Sequence, residues 1–287
     1  MKTSTEINSI AKHVGYEKAV ELTANAGFDA WDFSMFDMCK FDADIGRVTD
    51  RNPRYFGNEY VNFAKELRRV GEENGIVCNQ SHAPFPCHFS EMRYFLKKAI
   101  ECTAIAGGEV CVIHPMNAET AKKNAEMFYD LLEFAKPYGV KIATENMWFW
   151  DKEKDQSCFA ACATPEDFCK HIDIVNDPNL VACLDLGHAE MRGSDTTAVE
   201  MIKKLDHRLK ALHIHDNNKW KDSHQIPFSM DIDFPPIVKA LKEIGYDGYF
   251  TLEADAYLRA FNSDNLFEGV KNMASAARRL ADMYEAF

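Results

Sequence analysis

The sequence lacks any apolar run of the ~18 residues that a membrane-spanning helix needs. Its first ten residues, MKTSTEINSI, also lack the apolar stretch of a secretory signal peptide. We therefore expect a cytoplasmic protein with no membrane partner. Basic residues are outnumbered, since 33 Lys and Arg stand against 45 Asp and Glu, for a formal net charge of −12. A chain this acidic repels polyanions, so nucleic acid is not the expected partner.

The nine cysteines include no CxxC pair. Cys158, Cys162 and Cys169 come nearest to a metal-binding cluster, but their spacing matches no zinc knuckle, which favours free thiols in a reducing compartment. Hydrophobic residues make up 46% and charged residues 27% of the 287 residues, the balance of a globular protein with a large core. This length suits one domain, because α/β barrels of about 250 residues are common.

Short apolar, β-branched runs alternate with longer segments of helical period, which is the pattern of parallel strands joined by crossover helices. We predict eight strands, at Ile7–Ile10, Ala30–Ser34, Ile76–Gln80, Val110–His114, Lys141–Glu145, Val181–Asp185, Ala211–His215 and Phe250–Glu253. Eight such units close a (β/α)₈ barrel, an α/β fold, over residues 1–287. An open doubly wound sheet is the alternative, but it usually has fewer strands and a glycine-rich first turn, which this chain lacks.

Three connections are longer than a barrel requires: residues 36–57, 147–163 and 216–233. Each follows a predicted strand and would therefore lie on the face where barrels bind substrates, so the extra length suggests a substrate lid. The second connection contains the run MWFW, in which Trp148 and Trp150 could either cover a sugar ring or pack on the rim.

Residues that commonly bind metals stand at the ends of six consecutive predicted strands. They are His82 in SHAPF, His114 in VIHP, Glu145 in TEN, Asp185 in LDLGH, His213 and His215 in HIHDN, and Glu253 in TLEAD. Each one alone is more simply a hydrogen-bonded structural residue. In a closed barrel, however, strand ends form a ring, and these side chains would meet over its centre. Histidine and carboxylate ligands without thiolate suit one divalent ion, with Zn²⁺, Mn²⁺ and Co²⁺ not distinguished.

These motifs resemble those of the xylose isomerase-like barrels, a superfamily of sugar and sugar-phosphate isomerases and epimerases that also includes endonuclease IV. The resemblance runs from SHAPF through IHP, TEN, LDLGH and HIHDN to DIDFPPIVKALKEIGYDGYFTLE. It implies that a catalytic metal is held by Glu145, Asp185, His213 and Glu253, with His188 contacting the substrate. His213 is preferred to His215 because the family's ligand stands three residues before the acidic residue of this motif, here Asp216.

The resemblance also implies a reaction, the movement of a proton next to a carbonyl group in a sugar or sugar phosphate. A metal on the carbonyl oxygen would stabilise the enediolate, while Glu145 and Glu253 would remove and return the proton. Bases on two opposite faces would make an epimerase, and one base within reach would make an aldose–ketose isomerase. Four further residues would line the substrate site: His82, His114, His215 and Trp148.

Endonuclease IV supplies the main alternative, because its further metal ligands would correspond here to His82, His114, Asp222 and His224, giving two or three metals. Because acidic residues outnumber basic ones, the sequence shows no obvious basic surface that would bind the phosphates of DNA. Another barrel lyase or dehydratase is also compatible, as is a homo-oligomer. The family's glycine-rich PGEG-type turn is replaced by IPFSMDIDF, with Phe228, Ser229 and Met230. If that turn borders the pocket, the change favours an unphosphorylated sugar.

Overall fold

Eight parallel strands form the centre of the molecule. The computed structural model describes residues 1–57 and 59–287. The strands are β1 (Lys2–Thr5), β2 (Ala30–Ser34), β3 (Val77–His82), β4 (Val110–Val112), β5 (Lys141–Glu145), β6 (Leu180–Asp185), β7 (Leu209–His213) and β8 (Tyr249–Leu252). Strands β2 to β7 pair in chain order into one sheet, and β1 pairs with β8. Parallel bridges from Glu6 to Asp32 and from Ile214 to Leu252 close the ring, which confirms the predicted (β/α)₈ barrel.

In the described part of the chain, ten α-helices surround the barrel and bury their apolar faces against it. They are α1 (Asn8–Val14), α2 (Tyr16–Ala26), α3 (Glu59–Glu73), α4 (Met92–Ala106), α5 (Ala121–Ala135), α6 (Pro165–Asp173), α7 (Leu186–Ala189), α8 (Ala198–Leu205), α9 (Phe234–Glu243) and α10 (Leu266–Ala286). Fully buried Phe95, Phe128 and Phe168, from α4, α5 and α6, belong to the main core between helices and strands. No helix within the two described ranges is long and apolar enough to cross a membrane.

A second, smaller cluster of apolar side chains shows which face of each strand points into the barrel. Val112, Ala143, Cys183 and Ala211 form this cluster with Val181, whereas their chain neighbours Ile113, Ile142 and Ala182 belong to the main core. Side chains two apart on a strand share a face. Continuing two residues along β5, β6 and β7 from the inner cluster leads to Glu145, Asp185 and His213. The inner face of each of these three strands therefore ends in a polar residue.

The predicted first strand is wrong. Ile7 to Ile10 lie at and just before the start of α1, while β1 is the preceding segment KTST. Both isoleucines are fully buried, so this apolar segment does belong to the core, but through helix α1 and not through a strand. The other seven predicted strands overlap observed ones: Ala30–Ser34 and Lys141–Glu145 have the observed bounds, and the other five have ends shifted by no more than two residues. His114 and His215 consequently follow β4 and β7 instead of ending them.

The three long connections lie where the strands β2, β5 and β7 end. The first contains an antiparallel hairpin of Cys39–Asp42 with Arg47–Arg51, and the second a hairpin of Trp148–Asp151 with Gln156–Phe159. The third, residues 216–233, is held by a bridge between Asp216 and Gln225. All three border the same end of the barrel as the polar strand ends.

Candidate metal centre

Glu145, Asp185, His213 and Glu253 meet at the end of the barrel. Each offers one ligand atom, and these four atoms lie within 4.8 Å of one another. His213 Nδ1 is 3.0 Å from Glu145 Oε1 and 3.4 Å from Glu253 Oε2. All four side chains are buried, Asp185 completely. The structure thus brings together the four residues predicted as ligands, and we call them the central group.

The central group fits a divalent ion. Asp185 Oδ2 is buried without a hydrogen-bond partner among the described residues. A buried carboxylate oxygen left unpaired is unfavourable, and a cation would satisfy it. Three carboxylates and one imidazole are donors that suit Zn²⁺, Mn²⁺ or Co²⁺.

Charge coupling within the central group is strong. Burial alone would lower the pKa of His213, but Glu253 and Glu145 beside it raise that pKa well above its ordinary range. Burial alone would raise the pKa of Glu145, yet His213 and two further histidines hold it well below its ordinary range. The pKa of Glu253 is raised, because burial and the repulsion from Glu145 outweigh the attraction of His213. The two glutamates therefore differ in their affinity for a proton when no cation is bound.

A second group of ligand-type side chains, the outer group, lies beside the first. Its four members, His188, His215, Asp222 and His224, also place ligand atoms within 4.8 Å of one another. Asp222 Oδ2 is 3.3 Å from His188 Nε2 and 3.1 Å from His224 Nε2. His215 Nε2 lies 3.1 Å from Asp185 Oδ1 and 3.3 Å from Asp222 Oδ1, so it links the two groups.

A third group shares Glu145 with the central group. His82 Nε2 and His114 Nε2 lie 3.4 and 3.3 Å from Glu145 Oε2. All the residues predicted as possible extra ligands are thus close to the central group. The donor atoms form three adjacent groups, and each group offers at least three possible ligands for a divalent ion.

Three histidines of these groups are oriented by the backbone. The Nδ1 atoms of His82, His188 and His224 each lie 2.8 Å from a backbone carbonyl oxygen, of Ala83, Asn146 and Glu253 respectively. With Nδ1–H donating to that oxygen, the Nε2 lone pair of a neutral imidazole points toward the neighbouring carboxylates. This is the orientation in which metal-binding histidines are held.

The cysteines contribute little to these groups. Cys183 lies next to Glu145 and His213, but burial raises the pKa of its thiol to about 12, so it is a neutral thiol. Cys158, Cys162 and Cys169 belong to none of the groups found in residues 1–57 and 59–287. All nine cysteines are free thiols, as expected.

A cavity of about 720 Å³ opens above the three groups. Glu145 and Glu253 line it, while Asp185 and His213 of the same central group do not. His82, His114, His188, Asp222 and His224 complete its polar floor. Within the central group, only the two glutamates therefore have access to a molecule bound in the cavity.

Aromatic side chains form much of the cavity wall. Trp148 lines it, with its ring centroid 6.3 Å from that of His188, and Trp150 packs on Trp148 outside the lining. Phe85 stacks on His114 with centroids 4.9 Å apart. Sequence reasoning missed Phe85, although it is part of the SHAPF motif that drew attention to His82.

The IPFSMDIDF segment does not border the cavity, contrary to expectation. Phe228 packs against Phe234, with ring centroids 5.1 Å apart, and Phe228, Ser229 and Met230 are not among the lining residues. Asp216 fixes this turn, since its side chain accepts hydrogen bonds from the backbone N–H of Met230 and Ile232. The departure from the glycine-rich turn therefore says nothing about phosphate recognition.

Residues 20–283 match the family model described as xylose isomerase-like TIM barrel. Among curated proteins, an uncharacterized protein of Methanocaldococcus jannaschii is 28% identical over 240 residues, covering 77% of this chain and 78% of that protein. An inosose dehydratase of Clostridium perfringens is 30% identical over 158 residues, covering 49% of each chain.

Solved structures with the same fold include a D-tagatose 3-epimerase-like protein, with a TM-score of 0.70 and 22% identity over 98% of this chain and 99% of that one. The zinc-bound IOLI protein gives a TM-score of 0.71 and 19% identity over 100% of this chain and 99% of its own. At these identities the likeness concerns the fold.

Proposed function

Because this chain belongs to the xylose isomerase-like TIM barrel family, we propose that it is a divalent-metal-dependent sugar isomerase or epimerase. Its reaction would move a proton at the carbon next to a carbonyl group. The observation that carries this proposal is that only two of the four residues of the central group line the cavity. Glu145 and Glu253 face the cavity, whereas Asp185 and His213 lie beneath it. Among the structural neighbours, the D-tagatose 3-epimerase-like protein supports the epimerase part of this proposal, and the zinc-bound IOLI protein supports the divalent metal.

The central group would hold the metal. When bound, a divalent ion supplies an electrophile for the carbonyl oxygen and so makes the neighbouring C–H more acidic. Asp185 and His213 would hold the ion without contacting the substrate. Glu145 and Glu253 would each use one oxygen for the ion and keep the other for a proton of the substrate.

The positions of the two glutamates on the barrel favour epimerisation. Glu145 ends β5 and Glu253 follows β8, which is three strands further round the ring. The two carboxylates therefore approach the space between them from different sides. One would remove the proton from one face of the carbon while the other, protonated, returns a proton to the opposite face. If only one reaches the carbon, the same groups would interconvert an aldose and a ketose.

The cavity floor supplies the remaining contacts with the sugar. His188, His82 and His114 line the cavity, and His82 and His188 have their Nε2 atoms set by backbone hydrogen bonds from Nδ1. Such fixed nitrogens suit the hydroxyl groups of a sugar. The face of the Trp148 ring suits the C–H side of a pyranose or furanose.

A metal-dependent phosphodiesterase of the endonuclease IV kind is the second candidate. The observation in its favour is that three groups of ligand-type residues adjoin, with Glu145 shared between two of them. The net charge of −12 and the aromatic wall argue against a DNA substrate. A dehydratase is a third possibility, because removal of the same α-proton can be followed by loss of water, and an inosose dehydratase matches half of the chain.

Hydrogen exchange tests the proposal. The metal-loaded protein is incubated with a panel of free ketoses in D₂O, and deuterium at the carbon next to the carbonyl is followed by NMR. We expect exchange with at least one ketose, abolished by a chelator and restored by added metal. A fully metal-loaded protein that exchanges no ketose and cuts abasic DNA would instead support the second candidate.

A further inference from the structure

Asn146, the last residue of the TEN motif, follows β5 directly and is buried, with 2% of its surface exposed. Its Oδ1 accepts a hydrogen bond from the backbone N–H of Asp185 at 2.8 Å. Its Nδ2 donates to the backbone oxygen of the same residue at 2.9 Å. Both ends of the Asn146 amide are therefore used by one residue, and that residue belongs to the central group.

The Asn146 amide extends the sheet beyond the point where the main chain of β5 stops pairing. The last pair in the ladder between β5 and β6 is Glu145 with Cys183. Asp185, two residues further along β6, meets the side chain of Asn146 in place of a peptide of β5. A side-chain amide suits this position because it carries both a donor and an acceptor, as a peptide does. Asp185 is fully buried, so losing the amide would take a hydrogen-bond partner from a main-chain N–H that water does not reach.

The carboxylate of Asp185 stands on the backbone that Asn146 holds. Its Oδ1 accepts a hydrogen bond from the backbone N–H of His188 at 2.7 Å. Its Oδ2 has no hydrogen-bond partner within residues 1–57 and 59–287, so it is the atom free to bind a cation. The position of Oδ2 relative to Glu145 therefore depends on the amide that follows Glu145 in the chain.

Two asparagines hold the segment from Asp185 to His188 from opposite sides. The backbone oxygen of Asn146 accepts a hydrogen bond from His188 Nδ1 at 2.8 Å. On the side of β7, Asn217 of the HIHDN motif donates from Nδ2 to the backbone oxygen of Gly187 at 3.0 Å. This segment supplies one residue to the central group and one to the outer group, so its position affects both.

Resting on the proposed metal-dependent function, we propose that Asn146 is a positioning residue for the metal, which holds Asp185 at binding distance through its side-chain amide. Asn146 is not a ligand itself, because Oδ1 and Nδ2 are both paired with Asp185. It is not among the residues that line the cavity, so it influences a substrate only through the metal ligands. Residues that orient metal ligands in this way contribute strongly to metal affinity.

The matched variants are Asn146→Ala and Asn124→Ala. Asn124 is also buried, and its amide also pairs with the main chain of one residue. Its Oδ1 accepts from the backbone N–H of Met116 at 2.7 Å, and its Nδ2 donates to the backbone oxygen of Met116 at 3.3 Å. Asn124 belongs to none of the ligand-type groups found in the described ranges. Each variant removes one buried amide, so we expect both to lower the urea midpoint of the metal-free protein.

Zinc affinity is measured by competition with a chelator, and the visible absorption spectrum is recorded after loading with Co²⁺. We expect Asn146→Ala to raise the zinc Kd by about 10–100-fold and to change the Co²⁺ spectrum. Asn124→Ala should keep the wild-type zinc Kd and spectrum. A purely structural Asn146 would lower the urea midpoint without moving either readout.

A zinc Kd within about threefold of wild type in Asn146→Ala would overturn the inference. An equal loss of zinc affinity in Asn124→Ala would overturn it too. Should Asn146→Ala not fold, Asn146→Ser decides by the same criterion, because the serine hydroxyl is too short to reach both groups of Asp185.

The outcomes separate this inference from the proposed function. If the wild-type protein exchanges the α-protons of ketoses but Asn146→Ala binds zinc equally well, the positioning role is wrong and the sugar chemistry stands. If Asn146→Ala loses zinc affinity but the wild-type protein exchanges no ketose, the reaction is wrong and the positioning role stands. A wild-type protein that binds no zinc would overturn both.

Discussion

Replacing Gly187 by alanine tests how tightly the outer group is built. Gly187 lies in α7 between Asp185 and His188. A Cβ at this position would stand 2.0 Å from His215 Cε1 and 2.4 Å from its Nε2. The ring has little room to retreat, because His215 is fully buried and stacks on His224 with centroids 4.0 Å apart. The glycine of LDLGH is therefore required by the closeness of this ring.

The size of the effect follows from these distances. Carbon atoms pack best at about 3.5–4.0 Å, so His215 Cε1, which would stand 2.0 Å from the added Cβ, must move by about 1.5 Å. Overpacking of this kind destabilises a protein by about 1–3 kcal/mol. The movement would also take His215 Nε2 away from Asp185 Oδ1 and Asp222 Oδ1, now 3.1 and 3.3 Å distant. A displacement near 1 Å at a reacting site can lower turnover about 10²-fold.

The assay is urea denaturation of Gly187→Ala, with metal content and α-proton exchange measured on the same preparation. The control is the double variant with His215→Ala, which removes the ring that the new methyl group meets. In that background the destabilisation caused by Gly187→Ala should shrink by about 0.5–3 kcal/mol. Wild-type stability and turnover in Gly187→Ala, or strict additivity in the double variant, would refute the reasoning.

Further predictions concern catalysis, DNA cleavage and the pH dependence of stability. Glu145→Gln and Glu253→Gln should each lose at least ~10²-fold in turnover at saturating metal. Added metal should restore more activity to Asp185→Asn, because Asp185 is proposed only to bind the metal. Turnover of both glutamine variants within a few-fold of wild type would exclude the two-glutamate mechanism. We expect no cleavage of abasic DNA at physiological salt, and robust cleavage would reverse our ranking of the two functions. Burial raises the pKa of Glu6 from 4.5 to about 7. Because Glu6 binds a proton more tightly in the folded chain than in the unfolded chain, its contribution lowers the free energy of unfolding progressively as pH rises from 4.5 to about 7. Over that window Glu6→Gln, in the metal-free protein, should gain up to about 3 kcal/mol of stability relative to wild type; a pH-independent difference in urea denaturation would contradict this.

Much of the central group could be predicted from sequence because the barrel imposes its geometry. Glu145, Asp185 and His213 end β5, β6 and β7 on the inward face, and Glu253 follows β8. Once the strands are recognised, strand-end residues distant in the chain must come together. The order of the strands alone is enough to predict that these residues meet.

Strand β1 could not be recognised by its apolar content. Its residues Thr3, Ser4 and Thr5 are buried but polar, and hydrogen bonds make their burial possible. Ser4 Oγ donates to Asn79 Oδ1 at 2.6 Å, and the Thr3 backbone N–H donates to Asp29 Oδ2 at 2.8 Å. These partners lie 75 and 26 residues away, so the sequence near β1 gives no sign of them.

The lining of the cavity and the sharing of Glu145 between two groups also depend on the folded structure. Phe149 lies in a hairpin whose orientation a periodic pattern does not fix, and Met116 lies in an irregular connection. Whether His82 and His114 contact Glu145 depends on distances that only the folded structure gives. Sequence motifs name such residues but do not place them.

The central claim is that Glu145, Asp185, His213 and Glu253 together hold a divalent metal. Anomalous X-ray diffraction from crystals of protein purified without chelator and loaded with zinc, recorded at the zinc absorption edge, tests it most directly. We predict an anomalous peak within about 2.0–2.3 Å of a ligand atom from each of the four residues. Zinc-loaded crystals with no peak among these side chains, or with the four pointing in different directions, would contradict it.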